Sequence, residues 1–282
     1  ATTVLVVSFV NAGLLTLVQA VGIIMGANIG TTLTAWVTAV GFSVDISAFS
    51  VPLMILGFIL TNSKKQQYKN IGEFIVGFAL MFLGLSFMKS SAGTLLSNKD
   101  AMMAFFSHFT EFGFGSDLIF LLAGTILTIV LQASSATMAI TMLLTTSGLI
   151  DFELACAMVL GENIGTTITA NIAAAVGNSA AKRAALAHTV FNLFGVIWAL
   201  ASYPYLLKLI GWITSVIFGI PDPAAAGFEV IQEKGPDGIP IQTDSQTSAL
   251  YGLSMLHTLF NTINTFILIW FVPLIEKLVC MV

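Results

Sequence analysis

The stretch Gly26-Ala27-Asn28-Ile29-Gly30-Thr31-Thr32 returns later in the chain as Gly161-Glu162-Asn163-Ile164-Gly165-Thr166-Thr167, at a constant offset of 135. The register holds without a gap on both sides. Ala1 and Thr2 fall on Ala136 and Thr137, Gly13-Leu14 on Gly148-Leu149, Ala20 on Ala155, Thr34-Ala35 on Thr169-Ala170, and Ala39 on Ala174. Chance identities among apolar residues scatter, whereas Asn-Ile-Gly-Thr-Thr is a block. The chain therefore carries an internal repeat, and a repeat governs any reading of its architecture.

What surrounds the repeat is apolar. Of 282 residues, 57% are hydrophobic and only 9% charged, with a mean hydropathy of +0.96. Soluble domains carry about 25% charged residues, so most of this surface faces something other than water. Apolar runs at 71–88, 117–131, 184–204 and 251–273 read as bilayer-crossing helices, for which roughly 17–25 residues are needed. The net charge of −4 gives no nucleic-acid signature. Cys156 and Cys280 lie far apart in apolar sequence and suggest neither a disulfide framework nor a metal cluster.

Charge placement orients the two copies. The segment 42–47 after the first block holds Asp45 and no cation, whereas 177–183 after the second ends in Lys182-Arg183. By the positive-inside rule the first faces out and the second faces the cytoplasm. Lys64, Lys65 and Lys69 form a cytoplasmic loop, 71–88 returns outward, and the mixed-charge link 89–116 is external. Copy two then starts outside and copy one inside, so the repeats are inverted, a pattern typical of secondary transporters. The organisation expected is repeat 1 over 1–60, a loop, span and link over 61–116, and repeat 2 over 117–204. A surface helix or short span with an external acidic loop follows over 205–250, then a final span over 251–282.

Two kinds of helix break are expected at membrane depth. Asn-Ile-Gly-Thr-Thr lies about a dozen residues past Gly13 or Gly148. Asn and Thr compete for backbone hydrogen bonds and Gly tolerates non-helical dihedrals, so both copies are expected to unwind there. The alternative is a kinked helix that packs Gly and Thr on a neighbour. The second break is Gln132-Ala133-Ser134-Ser135. Its arms, 117–131 and 139–147, fall short of a 30 Å core at 1.5 Å per residue, which suggests a re-entrant hairpin. Helix N-termini at such a tip favour an anion, and freed carbonyls suit Na⁺. No Arg or Lys lies near either break, so neutralising an anion would fall to dipoles, hydroxyls and co-bound cations. That is the physical case for cation coupling.

Gln-Ala-Ser-Ser-Ala-Thr paired with Gly-Glu-Asn-Ile-Gly-Thr-Thr, and Ala1-Thr2-Thr3 paired with Gly-Ala-Asn-Ile-Gly-Thr-Thr, resemble the type II sodium–phosphate cotransporter family over roughly 1–40 and 125–201. The resemblance implies an all-α polytopic membrane protein of two inverted repeats, with re-entrant hairpins and unwound transmembrane helices. It implies sodium-coupled symport of inorganic phosphate, with no enzymatic activity. Gln132, Ser134, Ser135, Asn28, Thr31, Asn163 and Thr166 would hold phosphate, and Thr2, Thr32, Thr137 and Thr167 would hold sodium, with Glu162 a further sodium candidate on its own chemistry. No cofactor is implied beyond sodium as coupling ion. The other partner is the lipid bilayer of the plasma (inner) membrane, with no nucleic acid, and a homodimer is one option for the oligomeric state. Two positions depart from the family pattern. Ala133 replaces the first serine of the tip, and Glu162 stands where copy one has Ala27. A carboxylate at membrane depth is costly and by default functional. It would bind Na⁺, carry a proton, or pair with Lys182 or Arg183.

A second motif, His188-Thr189-x-Phe191-Asn192, returns as His257-Thr258-x-Phe260-Asn261. His and Asn at i, i+4 share a helix face, and the expected role is interhelical support, extended by Asn264, with direct ligation of substrate or ion as the alternative. A hydrolase built on Ser134 or Ser135 with His188 is disfavoured, because neither Gly-x-Ser-x-Gly nor His-Glu-x-x-His occurs. Transport of another oxyanion, phosphate export, and a channel or non-transporting subunit are the alternatives. Matching Ala1-Thr2-Thr3 to the outgoing arm of the second hairpin leads to the expectation of further residues upstream.

Overall fold

The computed structural model describes residues 2–43, 47–96, 99–231, 233–234 and 240–281. Ala1, on which the expectation about upstream residues turns, lies outside them. The described chain is helical: α1 (Thr2–Asn11), α2 (Leu17–Ser43), α3 (Ser47–Thr61), α4 (Gln66–Leu96), α5 (Lys99–Ser107), α6 (Phe114–Leu131), α7 (Ser134–Thr146), α8 (Phe152–Ala175), α9 (Ser179–Ala201), α10 (Tyr203–Ile217), α11 (Asp244–Leu268) and α12 (Val272–Cys280). A 3₁₀ turn, Ile269–Phe271, joins α11 to α12. A two-residue antiparallel pair, Glu233–Lys234 with Pro240–Ile241, is the strand structure among the described residues. Among the described residues five stretches are long and apolar enough to cross a membrane: Leu17–Ser43, Gln66–Ser91, Phe114–Leu131, Ser179–Ala201 and Asp244–Cys280. Large apolar side chains such as Phe58, Phe74, Val130 and Phe266 are exposed, as in a protein bathed by lipid rather than water.

The expected unwinding does not occur. Both Asn-bearing blocks lie inside uninterrupted helix, in α2 and α8. The polar side chains bond back to their own helix. Asn28 Nδ2 donates to the Ile24 carbonyl at 2.9 Å and Asn163 Nδ2 to Val159 at 2.8 Å. Thr31 donates to Ala27 and Thr166 to Glu162, Thr32 to Ile29 and Thr167 to Ile164, all within 2.7–2.9 Å. Back-bonding of this kind satisfies the hydroxyl or amide without displacing a backbone bond. The link 89–116 also differs from expectation. α4 runs on to Leu96 and α5 fills much of the remainder. α11 starts at Asp244, ahead of the expected 251, because Thr243 and Gln246 form a reciprocal capping box.

Elsewhere the repeat is legible bond by bond. α1 and α7 both end on a left-handed glycine, Gly13 at φ 71° and Gly148 at φ 66°. Each closes the same pair of bonds, Gly13 N to Val10 O with Leu14 N to Phe9 O, and Gly148 N to Thr145 O with Leu149 N to Leu144 O. This is a Schellman end, which only glycine adopts without Cβ strain. Helix packing follows the repeat as well. α1 packs on α2 as α7 does on α8, α1 reaches α8 as α7 reaches α2, and α11 covers α2 as α9 covers α8. α10 packs on α11 as α12 packs on α9. α3 and α4 pair mainly with each other, closely enough that a methyl group on Gly72 would lie 2.6 Å from the Thr61 nitrogen.

Candidate binding site

The hairpin tip is built by a reversal between α6 and α7. Gln132 adopts φ 54°, ψ 25°, the one positive-φ non-glycine among the described residues, and Ala133 is extended at φ −148°. Ser134 then opens α7, whose N-terminus has no side-chain cap because Ala133 offers no hydroxyl. Gln132 and Ser135 are exposed and Ser134 is half-buried, so the tip presents polar groups and uncapped amides outward. Behind it the arms are laced. Thr128 Oγ1 donates to Thr137 Oγ1 at 3.1 Å, and both residues are buried. Thr137 is thereby a structural tie within the hairpin, and Thr2, its counterpart in α1, is exposed.

α8 is held against α6 at backbone distance. A Cβ on Gly124 would overlap the Met158 carbonyl, one on Gly161 the Leu121 carbonyl, and one on Gly165 would lie 2.6 Å from the Thr125 oxygen. Thr125 Oγ1 also donates across to the Gly161 carbonyl at 3.0 Å. The glycines therefore serve close approach rather than unwinding. This is the packing alternative raised from the sequence.

Glu162 is 2% exposed, and its Oε1 accepts from Thr141 Oγ1 on α7 at 2.8 Å. Pairing with Lys182 or Arg183 is not what the structure shows. Arg183 instead reaches the Cys280 carbonyl. Among the described residues Glu162 has no cationic partner, so one neutral hydroxyl supports a buried carboxyl group. Thr141 was missed in the sequence, although it follows Thr137 by four residues and so shares its face.

Asn163 is the meeting point of α8 and α11. Its Oδ1 lies 3.3 Å from His257 Nε2 and 3.5 Å from Asn261 Nδ2. His188 and Asn192 on α9 are equally buried, and among the described residues His188 Nδ1 and Asn192 Oδ1 have no hydrogen-bond partner, nor do His257 Nδ1 and Asn261 Oδ1. Asn264 spans α9 and α11, accepting from Trp198 Nε1 and donating to the Phe191 carbonyl. Gly195 makes room for it, since a Cβ there would meet Phe260 at 2.7 Å and Asn264 at 2.8 Å. No hydrogen bond among the described residues joins Gln132, Ser134 or Ser135 to Asn28, Thr31, Asn163 or Thr166, nor Asn28 to Asn163. A cavity of about 570 Å³ lies elsewhere, lined by Asp117, Asp151, Glu153 and Tyr203 among others.

Paired helices that repeat one polar block, a hairpin with a polar tip, and five apolar spans among the described residues are the features of a multi-pass membrane protein. The chain belongs to the Na⁺/Pi-cotransporter family, whose model matches residues 1–90 and 97–220. It is 33% identical over 221 residues to the uncharacterized protein YqeW of Bacillus subtilis, covering 78% of this chain and 67% of that protein. It is 31% identical over 212 residues to YjbB of Escherichia coli K12, provisionally named an inorganic phosphate export protein, covering 75% of this chain and 37% of that one. Over 90 residues it is 42% identical to the mouse sodium-dependent phosphate transport protein 2C, covering 30% of this chain and 15% of the mouse protein. The chain thus spans about a third of the length of the E. coli relative. No solved structure matches it.

Proposed function

We propose that the chain is the core of a secondary active transporter that carries inorganic phosphate together with sodium across the plasma membrane. The observation that carries this reading is the duplication of Asn-Ile-Gly-Thr-Thr on two helices whose packing partners are exchanged by a pseudo-two-fold relation. In this reading the two units are inverted in the bilayer and the α6–α7 hairpin is re-entrant, bringing the Gln132-Ser134-Ser135 tip to the Asn28 and Asn163 helices. Phosphate takes the uncapped N–H groups of α7 and the tip hydroxyls, while sodium takes oxygen ligands near Thr32, Thr167 and Glu162. With no Arg or Lys in these segments, the co-bound cation offsets the anion's charge. The name of the mouse relative favours sodium coupling, and that of the E. coli relative favours export as the second reading.

The test is radiolabelled phosphate flux in proteoliposomes under an inward sodium gradient, with potassium as control. Sodium-stimulated uptake is expected. Phosphate flux indifferent to sodium would retire the coupling, and efflux alone would establish the export reading.

A further inference from the structure

The His-Thr-x-Phe-Asn motif is tied to the binding helices by bonds that mirror one another. Trp36 Nε1 on α2 donates to Thr258 Oγ1 on α11 at 3.0 Å, and Asn171 Nδ2 on α8 donates to Thr189 Oγ1 on α9 at 2.8 Å. Trp36 and Asn171 are equivalent at the offset of 135, and Thr189 and Thr258 are equivalent within the motif. A second pair of bonds joins the corresponding helices, with the α9 and α11 donors one residue out of the motif register. Asn178 Nδ2, at the start of α9, donates to the Asn11 carbonyl at 2.9 Å, and Gln246 Nε2, at the start of α11, donates to the Thr146 carbonyl at 3.3 Å. Asn11 and Thr146 are again equivalent at 135. One pseudo-two-fold operation therefore exchanges α2 with α8 and α9 with α11.

Applied to the contact of Asn163 with His257 and Asn261, that operation gives Asn28 with His188 and Asn192. The elements are already together, since Val21 and Met25 of α2 share one buried cluster with Ala187 and Phe191 of α9. Yet the bond is not made. Among the described residues Asn28 donates only to Ile24 of its own helix, and no bond joins it to His188 or Asn192; His188 Nδ1 and Asn192 Oδ1 are buried without partners, as are His257 Nδ1 and Asn261 Oδ1 in the pair that holds Asn163.

We propose that His188 and Asn192 are a second latch, which takes Asn28 as His257 and Asn261 hold Asn163. The two pairs are positioning residues, fixing the carboxamide of each site asparagine from the helix packed beside it. The structure holds one latch closed and the other open. The inference rests on the phosphate reading only for its first readout.

That readout is a double-mutant cycle on phosphate affinity, measured with the purified chain by phosphate-dependent thermal shift and by the KM of uptake. Asn28→Ala and Asn192→Ala should each weaken affinity about tenfold, and the double variant about tenfold rather than about a hundredfold, because coupled residues are not additive. The crossed pair, Asn28→Ala with Asn261→Ala, should multiply. Vmax should stay within about twofold, whereas lower Vmax and stability at unchanged KM would mark Asn192 as packing only and overturn the latch. Asn192→Ser serves where the alanine variant does not fold. Independent effects of Asn28 and Asn192 would also overturn it. Wild-type protein that shows no response to phosphate would sink the functional reading instead. The latch is then judged without substrate, by oxidative cross-linking of Asn28→Cys with Asn192→Cys in a background lacking Cys156 and Cys280. A bond in that pair and none between Asn28→Cys and Asn261→Cys is expected, and the reverse pattern, or none in either, defeats it.

Discussion

α2 and α8 carry the same block of residues in the same helical conformation, with the same back-bonds, and yet among the described residues their neighbours differ. Gly161 and Gly165 press on α6, Glu162 is bonded to Thr141, and Asn163 is held from α11. On α2 the matching positions are open. Gly26 and Gly30 have nothing within 4 Å, Ala27 replaces the carboxylate, Val6 stands where α7 has Thr141, and Asn28 has only its own helix. A repeated sequence thus duplicates local geometry, while the environment of each copy is set by what packs on it.

The largest test of that contrast is steric. Gly161→Val places a branched side chain into the Leu121 carbonyl, and overpacking at a backbone seam should cost about 3 kcal/mol or more. Gly26→Ala meets open space and replaces a poor helix former, with an expected gain of up to about 1 kcal/mol. Thermal unfolding of the two variants in detergent decides the matter. Comparable losses would mean that the α2 face is as closely covered as that of α8.

The next test transplants one copy into the other. Thr141→Val with Glu162→Ala gives α7 and α8 the Val6–Ala27 pairing of the first copy. Removing both members of a buried hydrogen-bonded pair is close to neutral for stability, unlike removing one, so Tm should stay within about 5 °C. Sodium stimulation of phosphate uptake should fall about tenfold, equivalent to about 1.4 kcal/mol of coupling. Glu162→Gln, which keeps an acceptor for Thr141 and removes the charge, should reproduce the functional loss. Unchanged sodium dependence in both would reduce Glu162 to a structural role.

How far these contrasts were legible in the sequence follows from the range of the interactions. The repeat, the paired glycine turns at Gly13 and Gly148, and the reversal at Gln132-Ala133 are local, and each is stated by a few adjacent residues. The continuous helix through Asn28 and Asn163 was not legible. Asn, Thr and Gly break helices or back-bond and pack within them, depending on a neighbour. For α8 the glycines of the block meet Leu121 and Thr125 on α6, a long-range approach that no local pattern announces. Glu162 illustrates the same limit. Its cost at depth was readable, but Thr141 as its partner required the fold of α7 onto α8. The His-Asn motifs were visible as motifs, whereas the exchange of α9 with α11 needed the mirrored bonds.

The smallest effect tests the pseudo-two-fold relation itself. Thr258→Val and Thr189→Val each remove the acceptor of one mirrored bond, from Trp36 and from Asn171. Both hydroxyls also donate within their own helix, to Ser254 and Ala185, so each loss should be modest, about 0.6 kcal/mol as for interhelical hydrogen bonds in other membrane proteins. Trp36 keeps its ring contacts with Phe218 and Tyr251 in the first variant, and Asn171 keeps its bond to the Thr167 carbonyl in the second, so neither donor is left wholly unsupported. The two sites involve different helix pairs and should add in the double variant. Near-equal losses are what a genuine exchange of α2 with α8 requires. A difference beyond about 1 kcal/mol would show that the two bonds resemble each other in geometry but do different work.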